Sequence, residues 1–177
     1  MQLNAKQLRT SVPDPIVIQS IKKNPITIIL DNVLDTYNVG SIFRLADAVA
    51  AERVILCGET LTPPNSRIKK ASINTWQWVD WEYATSAKDA LEKLKSQIPM
   101  TKIIAVEQDA RSKAFNEVQY EIPVAIIVGN ETHGVSKEVL DMADTIVELP
   151  MWGINKSLNV MVSLGIVLYE AMKQLDR

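Results

Sequence analysis

The side chains with most chemistry to offer fall in three polar clusters, each placed after an apolar run. Asn38 and Arg44 follow Ile26-Thr-Ile-Ile-Leu30; Gly129, Asn130 and Glu131 follow Val124-Ala-Ile-Ile-Val128. Ser157 and Asn159 follow Thr145-Ile-Val-Glu-Leu149, reached through Pro150-Met-Trp-Gly-Ile-Asn-Lys156. In an open α/β sheet, ligands bind at the carboxyl ends of the strands, so the three clusters can converge on one site. Each residue also has a plain structural use. Asn38 or Ser157 could cap a helix, and Arg44 could pair with Asp47 at i, i+3. Glu131 could be a loop carboxylate, and Asn159 could satisfy donors in an early helical turn.

Several other chemistries are excluded. No G-x-G-x-x-G occurs, so the dinucleotide fingerprint is missing. Gly129-Asn-Glu-Thr-His-Gly134 has the spacing of a phosphate loop, but Val135-Ser136 stands where Lys and then Ser or Thr are required. His133 is the sole histidine and cannot build a histidine metal site alone; no metal is expected. Cys57 is the sole cysteine, which rules out a disulfide framework and reads as a packed thiol. Asn130-Glu-Thr and Asn155-Lys-Ser match the glycosylation pattern and are set aside as coincidences in a chain without an export signal.

The elements that must position these residues alternate strand and helix. Strands are predicted over 26–30, 53–57, 76–81, 102–106, 124–128 and 145–149. Helices are predicted over about 39–50 with Asn38 as N-cap, from Ser86 with Asp89 as a capping box to about 97, near 136–142, and from about 158 to 173. Pro63-Pro64 marks a loop running into Arg67-Ile-Lys-Lys70. Continuous apolar strands between helices imply a mostly parallel α/β sheet with helices on both faces. The last helix leaves no broad polar face, which points to a homodimer interface.

At 177 residues, 47% hydrophobic and 23% charged, the chain suits one domain with a real core. We read residues 1–24 as an N-terminal segment and 25–177 as a single domain. No apolar stretch reaches the roughly 20 residues of a membrane span, and the N-terminus lacks a signal-like run, so a cytoplasmic protein is expected. The net charge is −2, but basic residues outnumber acidic ones over 61–113 and the reverse holds over 114–177. Any anionic partner must therefore bind locally.

Asn38-Val-Gly-Ser-Ile-Phe-Arg44-Leu-Ala-Asp-Ala resembles the first motif of the SPOUT superfamily of RNA methyltransferases, TrmH/SpoU branch. Val128-Gly-Asn-Glu131-Thr-His-Gly134-Val-Ser resembles its second motif. Glu148-Leu-Pro-Met151, Gly153 and Ser157-Leu-Asn-Val160 resemble its third. The motifs occur in family order and span about residues 26–172. The resemblance implies S-adenosylmethionine-dependent methylation of a ribose 2′-hydroxyl in structured RNA; the family covers tRNA and rRNA, and the small size of this chain slightly favours tRNA. It also implies a homodimer and a C-terminal trefoil knot, which topology rules alone would discard. Cofactor contacts are expected at Val106, Gly129, Leu149, Met151 and Leu158. Alternatives are a non-catalytic RNA-binding relative of the same fold and a flavodoxin-like FMN protein.

The implied reaction requires the hydroxyl to lose its proton while it attacks a sulfonium methyl in line, so positioning should supply much of the rate. Arg44 matches the family arginine credited with activating that hydroxyl. A guanidinium with a pKa above ~12 is a poor proton acceptor. We therefore assign Arg44 as a clamp on the adjacent phosphate that stabilises developing alkoxide. Asn38 and Glu131 would organise the pocket, Glu131 fixing Arg44 or the loop, and Ser157 and Asn159 would hold the ribose or the methionine end. Val160-Met-Val-Ser163 departs from the commoner Val-Ser-Val-Ala, with consequences expected for packing. RNA contact is expected from Arg9, Lys22, Lys23, Arg67, Lys69 and Lys70.

Overall fold

The run Asn24–Asp31 is the central strand, β1, because its β-branched residues suit a pleated strand buried on both faces. Ile26, Ile28 and Leu30 pack on one side of the sheet and Ile29 on the other, the period-2 alternation of a strand. In the computed structural model, which describes residues 4–175, α1 (Ala5–Thr10) and α2 (Pro15–Ser20) precede β1. After it come α3 (Thr36–Ala48), β2 (Ala51–Cys57), α4 (Ser66–Ser72), β3 (Trp81–Ala84), α5 (Ala87–Gln97), β4 (Lys102–Val106) and β5 (Lys113–Ala114). The chain continues through β6 (Val124–Gly129), α6 (Lys137–Met142), β7 (Thr145–Glu148) and α7 (Val160–Gln174).

The seven strands form one sheet in the order β3-β2-β1-β6-β4-β7-β5, every pair parallel. Helices cover both faces. On one, Val39, Ile42, Phe43 and Ala46 of α3 meet Leu164, Val167, Leu168 and Ala171 of α7. On the other, Ala87, Ala90, Leu91 and Leu94 of α5 meet Val139 of α6. Fully burying each such Ile, Leu or Val stabilises the fold by about 1.5–3 kcal/mol. Cys57 lies in the second layer, where burial, aided by the nearby Asp31 carboxylate, pushes its thiol up to about 12. It is a packed thiol.

The register delivers the polar clusters to one edge. Asp31 at the end of β1 pairs with Gly129 at the end of β6, and Val106 of β4 pairs with Val147 of β7. Gly40 in the first motif has a steric role. A Cβ there would lie 2.6 Å from the Ala71 Cβ and 2.7 Å from the Ile68 carbonyl oxygen, so its absence lets α4 close on α3.

Several elements differ from the sequence expectation. Asn38 is not an N-cap: α3 begins earlier, capped by Asp35, whose carboxylate accepts from the Tyr37 N–H at 2.8 Å. This frees Asn38, buried in the first turn, to turn inward. The last helix starts at Val160 with Asn159 as its cap, so Ser157 does not cap it. Trp76–Trp81 is not a strand. Ile73 and Asn74 sit at positive φ, Thr75–Gln77 make a 3-10 turn, and only Trp81 enters β3. Arg67–Lys70 belong to α4, capped by Asn65. The two-residue β5 and the short α1 and α2 are additional to the expected elements. Leu8 and Ile18 of the N-terminal segment pack against the core, and the Leu8 carbonyl accepts from Asn74 Nδ2 at 2.8 Å.

Candidate active site

A cavity of about 480 Å³ opens above the carboxyl ends of β6, β4 and β7, within the roughly 300–1,000 Å³ of small-molecule sites. Val106, Gly129, Leu149, Met151 and Leu158 all line it, as do Glu131, Ser157 and Asn159. Leu149, Met151, Ser157 and Leu158 arrive on the strap that joins β7 to α7. Gln108, just beyond β4, ties this strap down by donating from Nε2 to the Lys156 carbonyl.

At the cavity edge a polar relay crosses the three clusters. Glu131 accepts from the main-chain N–H groups of Leu34 and Asp35 at 3.0 Å each and from Asn38 Nδ2 at 2.9 Å. Because a carboxylate only accepts, the Asn38 amide must aim its NH2 at Glu131 and its oxygen away. That oxygen accepts from Asn159 Nδ2 at 3.0 Å, and Asn159 Oδ1 in turn accepts from the Met161 N–H at 2.9 Å. The charge at Glu131 thus sets the orientation of two amides and the cap of α7. Partial burial works to raise the Glu131 carboxyl, but the Asn38 amide and the Leu34 and Asp35 N–H groups outweigh it and hold it below its ordinary value. It is ionised at neutral pH. Glu131 fixes the loop entering α3, and among the described residues it makes no hydrogen bond or ion pair with Arg44.

The loop after β6 is fastened just as tightly. Asn130 Oδ1 accepts from the N–H groups of Thr132 and His133, and its Nδ2 donates to the Asn32 carbonyl at 2.9 Å. Carboxylates from the two strands flanking β6 then take consecutive amides. Glu107 Oε2 accepts from Val135 N at 2.8 Å and Asp31 Oδ2 from Ser136 N at 2.8 Å. His133 is an exposed loop residue whose backbone does the work.

Among the described residues, the lining carries Glu107, Glu131 and Glu148 and no lysine, arginine or histidine. Such a cavity repels phosphate and favours a cation, while Val106, Leu149, Met151 and Leu158 offer an apolar wall for a ring. A sulfonium nucleoside has these features, so the residues present fit it.

Arg44 is not part of this lining. It stands six residues beyond Asn38 on α3, about 120° round and roughly 9 Å along the helix, and is exposed. It does not pair with Asp47, whose carboxylate accepts from Trp78 Nε1 at 2.7 Å. Arg67, Lys69 and Lys70 are exposed on α4, which packs on α3 near Gly40 at the cavity end of the sheet. Lys22 and Lys23 precede β1 and so lie at the opposite end of the sheet from the cavity. The side chain of Arg9 lies outside the described residues.

The family model described as SpoU rRNA Methylase matches residues 25–169. The chain belongs to the SpoU rRNA methylase family. It is 33% identical over 159 residues to a tRNA (guanosine(18)-2′-O)-methyltransferase of Aquifex aeolicus, covering 86% of this chain and 71% of that protein. The crystal structure of the A. aeolicus TrmH/SpoU tRNA modifying enzyme superposes with a TM-score of 0.79 at 29% identity, covering 96% of this chain and 81% of that one. The AdoMet-bound rRNA methyltransferase from Sinorhizobium meliloti gives 0.79 at 28% identity, covering 90% and 61%. The α/β sheet described above is therefore a SpoU methylase fold. Glu107 and Gln108 are not among the residues expected from the sequence. Their position directly after the fourth strand, at a carboxyl end, was the available signal.

Proposed function

We propose that this chain methylates a ribose 2′-hydroxyl of structured RNA, with S-adenosylmethionine as donor and tRNA favoured over rRNA. The observation that carries the reading is the Glu131–Asn38–Asn159 relay on the rim of an acidic, part-apolar cavity. Both the A. aeolicus tRNA enzyme and the S. meliloti rRNA enzyme support an RNA substrate. The bound cofactor supplies a sulfonium-activated methyl group. Val106, Gly129, Leu149, Met151 and Leu158 would hold its adenosine, and Asn159 with Ser157 would orient the ribose or the methionine end. The second N–H of the Asn159 amide is free of the relay and available to that ligand.

With that donor in place the hydroxyl oxygen would bond to the methyl carbon as the carbon–sulfur bond breaks, and its proton would pass to the adjacent phosphate or water. Arg44, exposed beside α4, clamps that phosphate and stabilises the developing alkoxide. The cavity's own charge would repel the phosphate, so the clamp must stand outside it, as Arg44 does. Arg67, Lys69 and Lys70 extend the RNA-binding face; Lys22 and Lys23 can serve only RNA that wraps the far end.

The working form is a homodimer, supported by Val162, Ile166 and Tyr169, an apolar stripe on the outer side of α7 at helical spacing, two of them well exposed. The family's trefoil knot is assigned to the strap and α7. No helix among the described residues is long and apolar enough to cross a membrane, and a cytoplasmic location fits an RNA substrate.

The test is methyl transfer from labelled S-adenosylmethionine to total RNA lacking 2′-O-methyl groups, followed by nucleoside analysis. Label in a 2′-O-methylnucleoside of the tRNA size class is expected. Label in a methylated base would overturn the reading, and label confined to rRNA would reverse the substrate preference. Arg44→Lys should lose most turnover, because an ammonium cannot make the bidentate contact.

A further inference from the structure

Resting on the cofactor reading above, we propose that Glu107 reads the vicinal hydroxyls of the adenosine ribose and so determines the pocket's preference for a ribonucleoside. Among the carboxylates in the lining, Glu131 is committed to two main-chain N–H groups of the loop entering α3 and to the Asn38 amide of its first turn. Glu107 is held differently. Its Oε1 accepts from its neighbour Gln108 N at 2.8 Å and its Oε2 from Val135 N at 2.8 Å, one donor on each oxygen. A carboxylate has about four acceptor sites, so each oxygen keeps one.

The two amides come from different elements, the end of β4 and the loop after β6, and they lock both oxygens in place at the cavity wall. The loop backbone presses close against them. A Cβ on Gly134, which sits at φ +70°, would lie 2.1 Å from Oε2. Glu107 follows directly on Val106 of the apolar wall, and Gln108 beyond it tethers the strap that brings Leu158 and Asn159. A ligand with its ring on that wall and its reacting end at Asn159 must pass its sugar between them, beside Glu107. Two vicinal hydroxyls donating to the two oxygens of one carboxylate form a fork, and a strand-end carboxylate on a ribose hydroxyl is the device other nucleotide-binding sheets use. Glu107 is half-buried, so losing one such donor is felt.

The test is calorimetric binding of S-adenosylhomocysteine, its 2′-deoxy analogue and its 3′-deoxy analogue to the full chain and to E107Q. The wild-type chain should bind each deoxy analogue about ten- to a hundredfold more weakly, the loss for one hydrogen bond to a charged acceptor. E107Q should bind the parent compound more weakly and lose most of that discrimination, since one oxygen must still serve a main-chain amide. A merely structural role for Glu107 would weaken all three ligands alike and leave their ratios unchanged. Equal binding of all three by the wild-type chain, or full discrimination by E107Q, overturns the proposal. Should E107Q not fold, E107D is read instead; its shorter carboxylate must also narrow the ratio. Failure of the wild-type chain to bind S-adenosylhomocysteine at all overturns the cofactor reading beneath it, a different outcome from binding without discrimination.

Discussion

Asn159 does two things that substitution can separate. Its Oδ1 caps α7 through the Met161 N–H, and its Nδ2 holds the Asn38 oxygen. Asn159→Ala removes both. A lost N-cap costs about 1 kcal/mol and a lost neutral hydrogen bond about 1 kcal/mol, so about 2 kcal/mol in all. For a chain of this size that lowers Tm by about 4–8 °C. Asn159→Asp keeps the cap, because Asp and Asn rank equally there and a negative charge suits a helix N-terminus. It turns a donor into an acceptor facing the Asn38 oxygen. Asn38 cannot flip to answer it without aiming its own oxygen at ionised Glu131. Asn159→Asp should therefore lower Tm by no more than about 2–4 °C, the worth of one hydrogen bond. It should nonetheless lower kcat/KM for RNA methylation by at least about tenfold, which corresponds to 1.4 kcal/mol of lost positioning. Thermal melts and single-substrate kinetics on the two variants decide it. Wild-type activity in Asn159→Asp would refute the relay as a positioning device, and equal Tm losses in both variants would refute the cap.

Three further outcomes follow from the geometry. The Glu131 carboxyl is held below its ordinary value near 4.5, so the native state binds fewer protons there than the unfolded chain. Its contribution is complete above that pH and is lost as pH falls through the lower folded value. Urea midpoints followed through the acid range should fall less steeply for Glu131→Gln, and an unchanged slope would contradict the assignment. Gly134→Ala places a Cβ 2.1 Å from Glu107 Oε2 at φ +70°, and the left-handed backbone alone costs about 1–2 kcal/mol. Its Tm should drop by at least about 2–4 °C with weakened cofactor binding; a wild-type melt would show the loop to be slacker than described. Replacing Arg67, Lys69 and Lys70 together by Ala should weaken RNA binding and shallow its salt dependence, whereas Lys22 and Lys23 replaced together should change both less. Filter binding across a salt series measures this, and an equal effect of the two sets would place the RNA differently.

The strands at 26–30, 102–106 and 124–128 were legible because continuous β-branched runs have few other homes, and the Ser86-to-Gln97 helix because its cap is local. Family membership was legible too, since three motifs in order are a property of the chain itself. Their boundaries were less so. Asn38 and Ser157 looked like capping residues, and only the fold assigned the cap of α3 to Asp35 and that of α7 to Asn159 and turned Asn38 inward. Trp76–Trp81 carries the composition of a strand, but Ile73 and Asn74 at positive φ end the preceding helix in a way that local pattern does not announce.

The sequence by itself determined which residue types were available and which runs had to be buried, because hydrophobic period and capping chemistry act over a few neighbouring positions. Only the tertiary structure decided their partners. Glu131 meets Asn38 across 93 positions and Asn159 meets Asn38 across 121, while Glu107 reaches Val135 across 28. These contacts exist because the order β1-β6-β4-β7 lays distant strand ends side by side. The same order leaves Arg44 outside the cavity and Lys22 and Lys23 at its far end, since a helix turns about 100° per residue and parallel strands all begin at the same side.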